Sequence, residues 1–128
     1  MEAKELIIGD WVYGLSNSPR KVQGLRDYNE ENVVVADHWV NCKQLTPILL
    51  TEAILTKNGF AKRIDDMGDK YCEIKDYGYT IYYFFDYNVI NITIGRNHIF
   101  VEDKKFVHEL QHVLRLCGLT DLADNFEV

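Results

Sequence analysis

The sequence lacks the features of several functional classes. Its only cysteines are Cys42, Cys72 and Cys117, and they stand too far apart to form a C-x-x-C pair. An odd number of widely spaced cysteines indicates neither a disulfide framework nor a cysteine zinc site, so we expect reduced thiols. No stretch approaches the roughly 18 apolar residues of a membrane span, and the N-terminus lacks the apolar run of a signal peptide. The sequence therefore predicts a cytoplasmic protein without a membrane segment.

Basic residues are too few and too scattered to favour nucleic-acid binding. The formal net charge is -6, and residues 65–128 carry twelve acidic and six basic side chains, whereas residues 1–64 carry eight of each. Non-specific affinity for DNA or RNA comes mainly from Lys and Arg, so the acidic half is a poor candidate. The neutral half leaves one alternative open, which is nucleic-acid binding by an N-terminal β module through Arg20 and Lys21.

Two modules are expected along the chain. Residues 1–50 contain short β-branched runs between polar turns, beginning with Leu6–Tyr13 and including a turn at residues 28–32. This pattern predicts an SH3-like small β-barrel or bent antiparallel sheet. Residues 51–128 predict an α+β module, and we expect the two modules to form one compact unit.

The second module is expected to hold a short helix, a sheet and a long helix. Thr51 is a good N-cap and Gly59 a good stop, which predicts a helix over residues 51–58. Apolar runs between Tyr71 and Val101, separated by tight turns, predict three or four antiparallel strands. A helix from about Asp103 to Cys117 is then expected to pack across this sheet.

The last helix contains a match to a zinc-peptidase signature. His108-Glu109-Leu110-Gln111-His112 fits H-E-x-x-H, in which two imidazoles at i and i+4 bind zinc and the Glu polarises a bound water. The corresponding alternative function is a small zinc-dependent hydrolase with His108 and His112 as metal ligands and Glu109 as the catalytic residue.

Three observations oppose this alternative. The extended signature is absent, because Arg115 stands where its glycine would be, and the third ligand would have to come from Asp121, Asp124, Glu127 or His98. On a helical wheel both histidines point away from the apolar sector, toward Arg115 and solvent. The chain is also short for a peptidase cleft. We therefore expect no catalytic residue and no cofactor.

Aromatic residues are concentrated in one predicted strand. Tyr79, Tyr82, Tyr83 and Phe84 are candidates for an interaction surface, because aromatic side chains are favoured at protein interfaces. The alternative is that these side chains fill the two faces of the sheet, where successive residues alternate.

Three segments together resemble a known group of proteins. They are Ile8-Gly9-Asp10-Trp11-Val12, the segment from Leu45 to Phe60, which reads LTPILLTEAILTKNGF, and Val107-His108-Glu109-Leu110-Gln111-His112. In these segments the chain resembles small uncharacterised proteins of phages and mobile elements of gut anaerobic bacteria. The resemblance implies an origin in a phage or mobile element of gut anaerobic bacteria, and it assigns no catalytic residue.

Taken together, the residues predict a noncatalytic accessory or protein-interaction module, and the resemblance implies that it is of phage or mobile-element origin. Its partner is expected to be a protein, with nucleic acid and membrane not expected. Zinc hydrolysis and nucleic-acid binding stand as the two alternatives.

Overall fold

A computed structural model of the chain describes residues 1–2, 5–14, 16–26, 32–76 and 78–128. In these residues the fold is α+β and mostly strand, with two five-stranded antiparallel sheets and three α-helices, which confirms the predicted class. The chain divides into two compact units. The first contains Met1–Leu49, Phe106–Phe126 and Val128, and the second contains Leu50–Lys105 and Glu127.

The first unit is built on a sheet with the strand order β4, β3, β2, β1, β5. Its strands are β1 (Trp11–Tyr13), β2 (Pro19–Arg26), β3 (Asn32–Val35), β4 (His38–Asn41) and β5 (Thr46–Pro47). A 3-10 turn at Cys42–Gln44 precedes β5, which returns to pair with β1. Alternating side chains build an apolar core of Leu6, Val12, Val22, Val33, Val35, Cys42 and Leu45. Removal of this apolar area from water stabilises the sheet.

The first strand is shorter than predicted. It begins at Trp11 instead of Leu6, because residues 7–10 form a turn in which the Asp10 N–H donates to the Ile7 carbonyl at 3.0 Å. Gly9 stands at the third position of this turn with a φ of 98°, a conformation that glycine adopts without strain. The predicted turn at residues 28–32 lies almost wholly outside the described residues, since only Asn32 is described and it begins β3.

The second unit is built on a sheet with the strand order β10, β9, β8, β7, β6. The strands are β6 (Ala61–Ile64), β7 (Lys70–Asp76), β8 (Tyr79–Phe84), β9 (Val89–Ile94) and β10 (Asn97–Val101). Each strand pairs with the next along the chain, as the tight turns in the sequence predict. Strand β6 was not predicted, because its four residues include Lys62 and Arg63 and have the composition of a surface loop.

The short helix α1 (Glu52–Lys57) also belongs to the second unit and confirms the helix predicted at residues 51–58. The Thr51 hydroxyl accepts from the Ile54 N–H at 3.2 Å, and Gly59 follows with a φ of 90°. Both ends of this helix are therefore satisfied by the residue types that predicted them.

The helices α2 (Val107–Leu116) and α3 (Thr120–Asp124) belong to the first unit. Helix α2 begins at Val107 instead of Asp103, because Asp103 has a φ of 56° and Phe106 is extended and forms a β-bridge with Leu49. The predicted division is therefore different from the observed one: the last helix groups with the N-terminal sheet, and residues 51–128 are not one unit. No helix of the described residues is long and apolar enough to cross a membrane.

Candidate functional site

Helix α2 carries a polar stripe at helical spacing, formed by His108, Gln111, His112 and Arg115. The prediction that both histidines face solvent is wrong. His108 is only 6% exposed, Gln111 is fully buried, and the His112 side chain is 25% exposed. The turn at residues 7–10 and Trp11, the first residue of β1, supply hydrogen-bond partners for every residue of the stripe except His108.

Asp10 is the centre of these contacts and is fully buried. Its Oδ2 accepts from the Ile7 N–H at 2.7 Å and lies 2.6 Å from His112 Nε2. Because a carboxylate only accepts, this contact places a proton on His112 Nε2. Its Oδ1 accepts from Arg115 Nη1 at 2.8 Å. A buried carboxylate is tolerated when an opposite charge and hydrogen bonds compensate its lost hydration, and Asp10 has both.

Gln111 extends the network on the same side of the helix. Its Oε1 accepts from the Trp11 N–H at 3.0 Å, and its Nε2 donates to the carbonyls of Gly9 at 3.0 Å and Ala123 at 3.1 Å. The Trp11 indole N–H donates to the Phe126 carbonyl at 2.6 Å. The three contacts of this amide join the turn before β1, helix α2 and helix α3, which fixes their positions in the first unit.

Gly9 allows Arg115 to approach the turn. A Cβ at this position would lie 3.0 Å from Arg115 Nη2, which is closer than most Cβ contacts in proteins. The same Nη2 lies 3.5 Å from Asp124 Oδ1, so the guanidinium is held between the turn and the end of α3. Glycine at this position therefore serves both the backbone of the turn and the path of Arg115 to Asp10.

Like Arg115 Nη2, the buried Nδ1 of His108 has no hydrogen-bond partner among the described residues. Burial lowers its pKa below the usual value near 6.5. The charge of His112 acts in the same direction, whereas the nearby acids act against it, namely Asp10, Glu109 and Glu5. The ring stacks on Phe106, with centroids 6.0 Å apart, and touches the His112 ring edge to face at 5.6 Å. Its surroundings therefore favour a neutral imidazole packed as an aromatic group.

Two of the three residues of the zinc signature, His112 and Glu109, have hydrogen-bond partners within the protein. His112 Nε2 is hydrogen-bonded to Asp10, and Glu109 Oε1 accepts from the Phe106 N–H at 3.1 Å, which satisfies a donor at the start of α2. Of the candidate third ligands, Asp124 contacts Arg115, and His98 lies on β10 with its Nδ1 3.0 Å from Thr93 Oγ1. Within the described ranges, no three His, Cys, Asp or Glu side chains are grouped so that they could hold a metal ion.

The pair of Asp10 and His112 has the form of an oriented acid–base dyad. A buried carboxylate that fixes an imidazole serves catalysis when a nucleophile lies within hydrogen-bond reach of the ring. In the part of the chain that the structure describes, His112 has Asp10 as its hydrogen-bond partner, and no hydroxyl or thiol is hydrogen-bonded to its ring. The arrangement fits a structural network that joins the N-terminal turn to α2.

A second group of candidate residues lies on one face of the second sheet. Strand pairing places Tyr82 opposite Asn91 and Asn91 opposite Phe100, while Phe84 lies opposite Tyr71. Directly opposed side chains share a face, so these five residues form one surface, which we call the aromatic face (Tyr71, Tyr82, Phe84, Asn91 and Phe100). Phe100 is 66% exposed and the other four are half-buried.

The rings of the aromatic face contact one another. The ring of Tyr71 lies 5.8 Å from that of Tyr82 and 5.2 Å from that of Phe84, measured between centroids. Tyr82 and Phe84 are 6.4 Å apart. Asn91 stands between these rings and Phe100, and its buried Oδ1 has no hydrogen-bond partner among the described residues.

The opposite face of this sheet is its apolar interior. Cys72, Ile81, Tyr83, Ile90 and Ile92 are each 1% exposed or less. This burial separates the four predicted interaction residues, because only Tyr82 and Phe84 lie on the aromatic face.

Tyr83 and Tyr79 have roles on the interior side. The Tyr83 hydroxyl donates to the Lys104 carbonyl at 2.9 Å, so the prediction that Tyr83 forms part of an exposed surface is wrong. The Tyr79 hydroxyl donates to Asp76 Oδ2 at 3.3 Å, and its pKa is raised by burial and by the Asp76 charge. The missed members Tyr71, Asn91 and Phe100 come from neighbouring strands, and their register is the signal that would have identified them.

The bases proposed for nucleic-acid binding do not form an open patch. Lys21 Nζ donates to the Asp124 carbonyl at 2.9 Å and lies 5.4 Å from the centroid of the Trp11 ring. Arg20 is exposed at the adjacent position of β2. One of the two bases is therefore engaged within the first unit.

No protein-family model, curated protein or solved structure matches this chain.

Proposed function

We propose that this chain is a noncatalytic interaction protein that binds a polypeptide partner through the aromatic face. The observation that carries the proposal is the group of contacting rings on an accessible sheet face, with Phe100 two-thirds exposed at its border. Aromatic side chains supply much of the binding energy at protein interfaces, because they bury a large area and lose little conformational freedom.

Asn91 gives further support, because it is a poor residue for folding at its position. Asparagine is depleted in strands, and a buried carbonyl oxygen without a partner costs about 1–3 kcal/mol. Violations of local folding rules concentrate at functional positions. Asn91 lies between Tyr82 and Phe100 on the proposed binding surface, so a substitution there would alter that surface.

The charges favour a polypeptide over a nucleic acid. The second unit carries ten acidic and eight basic side chains, which gives no excess of bases for phosphate groups. Beside the rings, Arg63 Nε lies 3.0 Å from Glu73 Oε1, so the border of the surface has both signs. A mixed polar rim around an apolar centre is typical of protein–protein interfaces.

The remaining features of the proposal concern context. We take the first sheet to be SH3-like, which is supported by the return of β5 to β1 after a 3-10 turn. A cytoplasmic location is supported by three cysteines that are unpaired, two of them buried. The phage or mobile-element origin rests on the resemblance of the three segments given above.

The proposal is tested by selecting binders from a displayed library of random peptides. We expect the selected peptides to bind the wild-type chain and to lose at least tenfold in affinity for Phe100→Ser and for Tyr82→Ser, since hot-spot residues contribute roughly 2 kcal/mol or more. Met67→Ser is the matched control, because Met67 is 85% exposed in the same unit and lies outside the aromatic face.

Backbone amide shifts from NMR show where the selected peptides bind. Shift changes centred on β7, β8 and β9 support the proposal. Failure to select any peptide, equal affinity for all three variants, or shift changes confined to the first unit would contradict it. Thermal melts of each variant show whether a loss of affinity reflects unfolding.

A further inference from the structure

Strand β10 is an open edge of the second sheet without the usual protection. Its five residues, Asn97 to Val101, include no charge and no proline, and four of the five are exposed. Soluble proteins protect long edges with charged side chains, as the opposite edge β6 does with Lys62 and Arg63. On β10 Phe100 is 66% exposed and Ile99 36%. An edge of this composition is suited to pairing with another strand.

The hairpin register shows which main-chain groups are open. A two-residue turn of Gly95 and Arg96 joins Ile94 to Asn97, so this pair exchanges hydrogen bonds, and the bonded pairs alternate along the strands from there. Asn97, Ile99 and Val101 therefore direct their N–H and C=O groups toward β9. His98 and Phe100 direct theirs toward the open edge.

We propose that a second copy of this chain binds at β10, antiparallel to it and about a two-fold axis at Ile99. This register pairs His98 with Phe100 of the second copy and Phe100 with its His98, which uses all four open groups of each strand. The two sheets become one continuous sheet across the axis, and an isologous contact of this kind closes at a dimer.

Charge complementarity selects this register. Arg96 and Glu102 stand one residue beyond the two ends of β10. The two-fold axis at Ile99 brings Arg96 of each copy opposite Glu102 of the other copy. In the described ranges neither side chain has an ion pair within its own chain. The dimer therefore gains two equivalent ion pairs at its borders.

The other symmetric registers lack this complementarity. Pairing requires that open residues face open residues, so the axis passes through His98, Ile99 or Phe100. An axis at Phe100 sets Arg96 opposite Lys104, which is a repulsive pair, and an axis at His98 sets Arg96 opposite Phe100. Only the axis at Ile99 overlaps the whole strand and pairs opposite charges.

The arrangement also extends the aromatic face. His98 and Phe100 lie on the same side of the sheet as Asn91, so the pairing sets the Phe100 ring beside the His98 ring of the second copy. The self-association does not depend on the polypeptide partner proposed above, because it uses the edge of the sheet and that partner its face.

Cysteine cross-linking measures the register directly. The half-buried Cys117 is first replaced by serine, and Asn97→Cys, Ile99→Cys and Val101→Cys are each oxidised mildly. Residue 99 of one copy faces residue 99 of the other, with Cβ atoms about 4.5–5.5 Å apart, which is close to disulfide geometry. Residue 97 lies about 13 Å from residue 97 of the second copy, and the same distance separates the two residues 101. We expect a disulfide-linked dimer from Ile99→Cys, and equal or faster cross-linking at 97 or 101 would overturn the proposal.

Charge reversal tests the ion pairs in the full chain by sedimentation equilibrium. We expect the wild type to dimerise in the micromolar range, as small interfaces do. Arg96→Glu and Glu102→Arg each replace two attractive pairs with two repulsive ones and should each weaken dimerisation about tenfold or more. A mixture of the two variants restores both attractive pairs and should associate about as tightly as the wild type.

Asp66→Arg is the control, because it reverses an exposed charge in the turn between β6 and β7 and should leave dimerisation unchanged. A wild type that stays monomeric at about 1 mM, where weak biological contacts are still populated, would overturn the proposal. A mixture that associates no better than either variant alone would do the same. Circular dichroism establishes that each variant is folded.

Discussion

The replacement of Asp10 by alanine tests whether the contacts between the N-terminal turn and α2 hold the first unit together. Asp10 is fully buried and accepts from the Ile7 N–H, from His112 and from Arg115. The substitution removes all three hydrogen bonds, and among the described residues it leaves the Arg115 charge paired with the exposed Asp124 alone, at 3.5 Å.

The expected loss follows from these contacts. A hydrogen bond to a charged group contributes about 1.5–3 kcal/mol, so three of them set an upper bound of roughly 9 kcal/mol. Water reaches the partners in the variant, since the side chains of Arg115 and His112 are 15% and 25% exposed, and this recovers part of the loss. Breaking a buried ion pair in other proteins costs about 3–5 kcal/mol. We expect about 4 kcal/mol for Asp10→Ala and about 2 kcal/mol for Asp10→Asn, which keeps an acceptor for Ile7.

Urea unfolding followed by tryptophan fluorescence measures this loss. The two tryptophans, Trp11 and Trp39, both lie in the first unit, so the signal reports that unit alone. Asp124→Asn is the matched control and should cost less than about 0.5 kcal/mol, because its carboxylate is 56% exposed. A loss below about 1 kcal/mol for Asp10→Ala would refute the reasoning, since a buried ion pair broken at one end must cost more.

Three further predictions concern single positions. The first unit should lose stability as the pH falls below about 6.5, because the lowered pKa of buried His108 lets the unfolded chain take up a proton that the folded chain does not. Urea midpoints across pH check this: His108→Leu should flatten the dependence and the exposed-site control His98→Gln should not. Gly9→Ala should cost about 2 kcal/mol in the same assay through its positive φ and the Arg115 contact, whereas Gly14→Ala, without a positive φ, should cost less. Asn91→Val should raise the stability of the second unit by about 1 kcal/mol, measured by thermal melting, and an unchanged or lower melting temperature would contradict the unmet hydrogen bond.

Local signals in the sequence located most strands and helix α1 but did not divide the chain correctly. The Thr51 cap, Gly59 and the turns between β8, β9 and β10 are chemical features of a few neighbouring residues, so the sequence shows them directly. Contacts between residues far apart in the sequence decide which sheet α2 packs on. The apolar sector of α2 fits any apolar surface. The helix belongs to the first unit because it contacts residues about 100 positions away in the chain.

The position of the two histidines shows the same limit at the level of side chains. A polar stripe on a helix has the same spacing whether solvent or another polar segment covers it. Here residues 7–11 cover it, and a buried Asp10 is not distinguishable in the sequence from an exposed acid in a turn. Periodicity therefore could not predict that Asp10 pairs with His112 and Arg115. Asp10 does belong to one of the three segments that carry the resemblance.

His108 and Asn91 each bury a polar atom without a hydrogen-bond partner among the described residues. Substitutions at the two positions distinguish a residue that only weakens packing from one that takes part in binding. His108 lies beneath other side chains, so its replacement by leucine should change stability and its pH dependence and leave peptide binding unchanged. Asn91 lies among the rings of an accessible face, so Asn91→Val should raise stability and at the same time weaken the selected peptides. A protein that folds better and binds worse after one substitution has used that residue for binding, because folding alone would favour the change. Equal peptide affinity of Asn91→Val and the wild type would leave the asparagine unrelated to binding and remove that support from the proposed function.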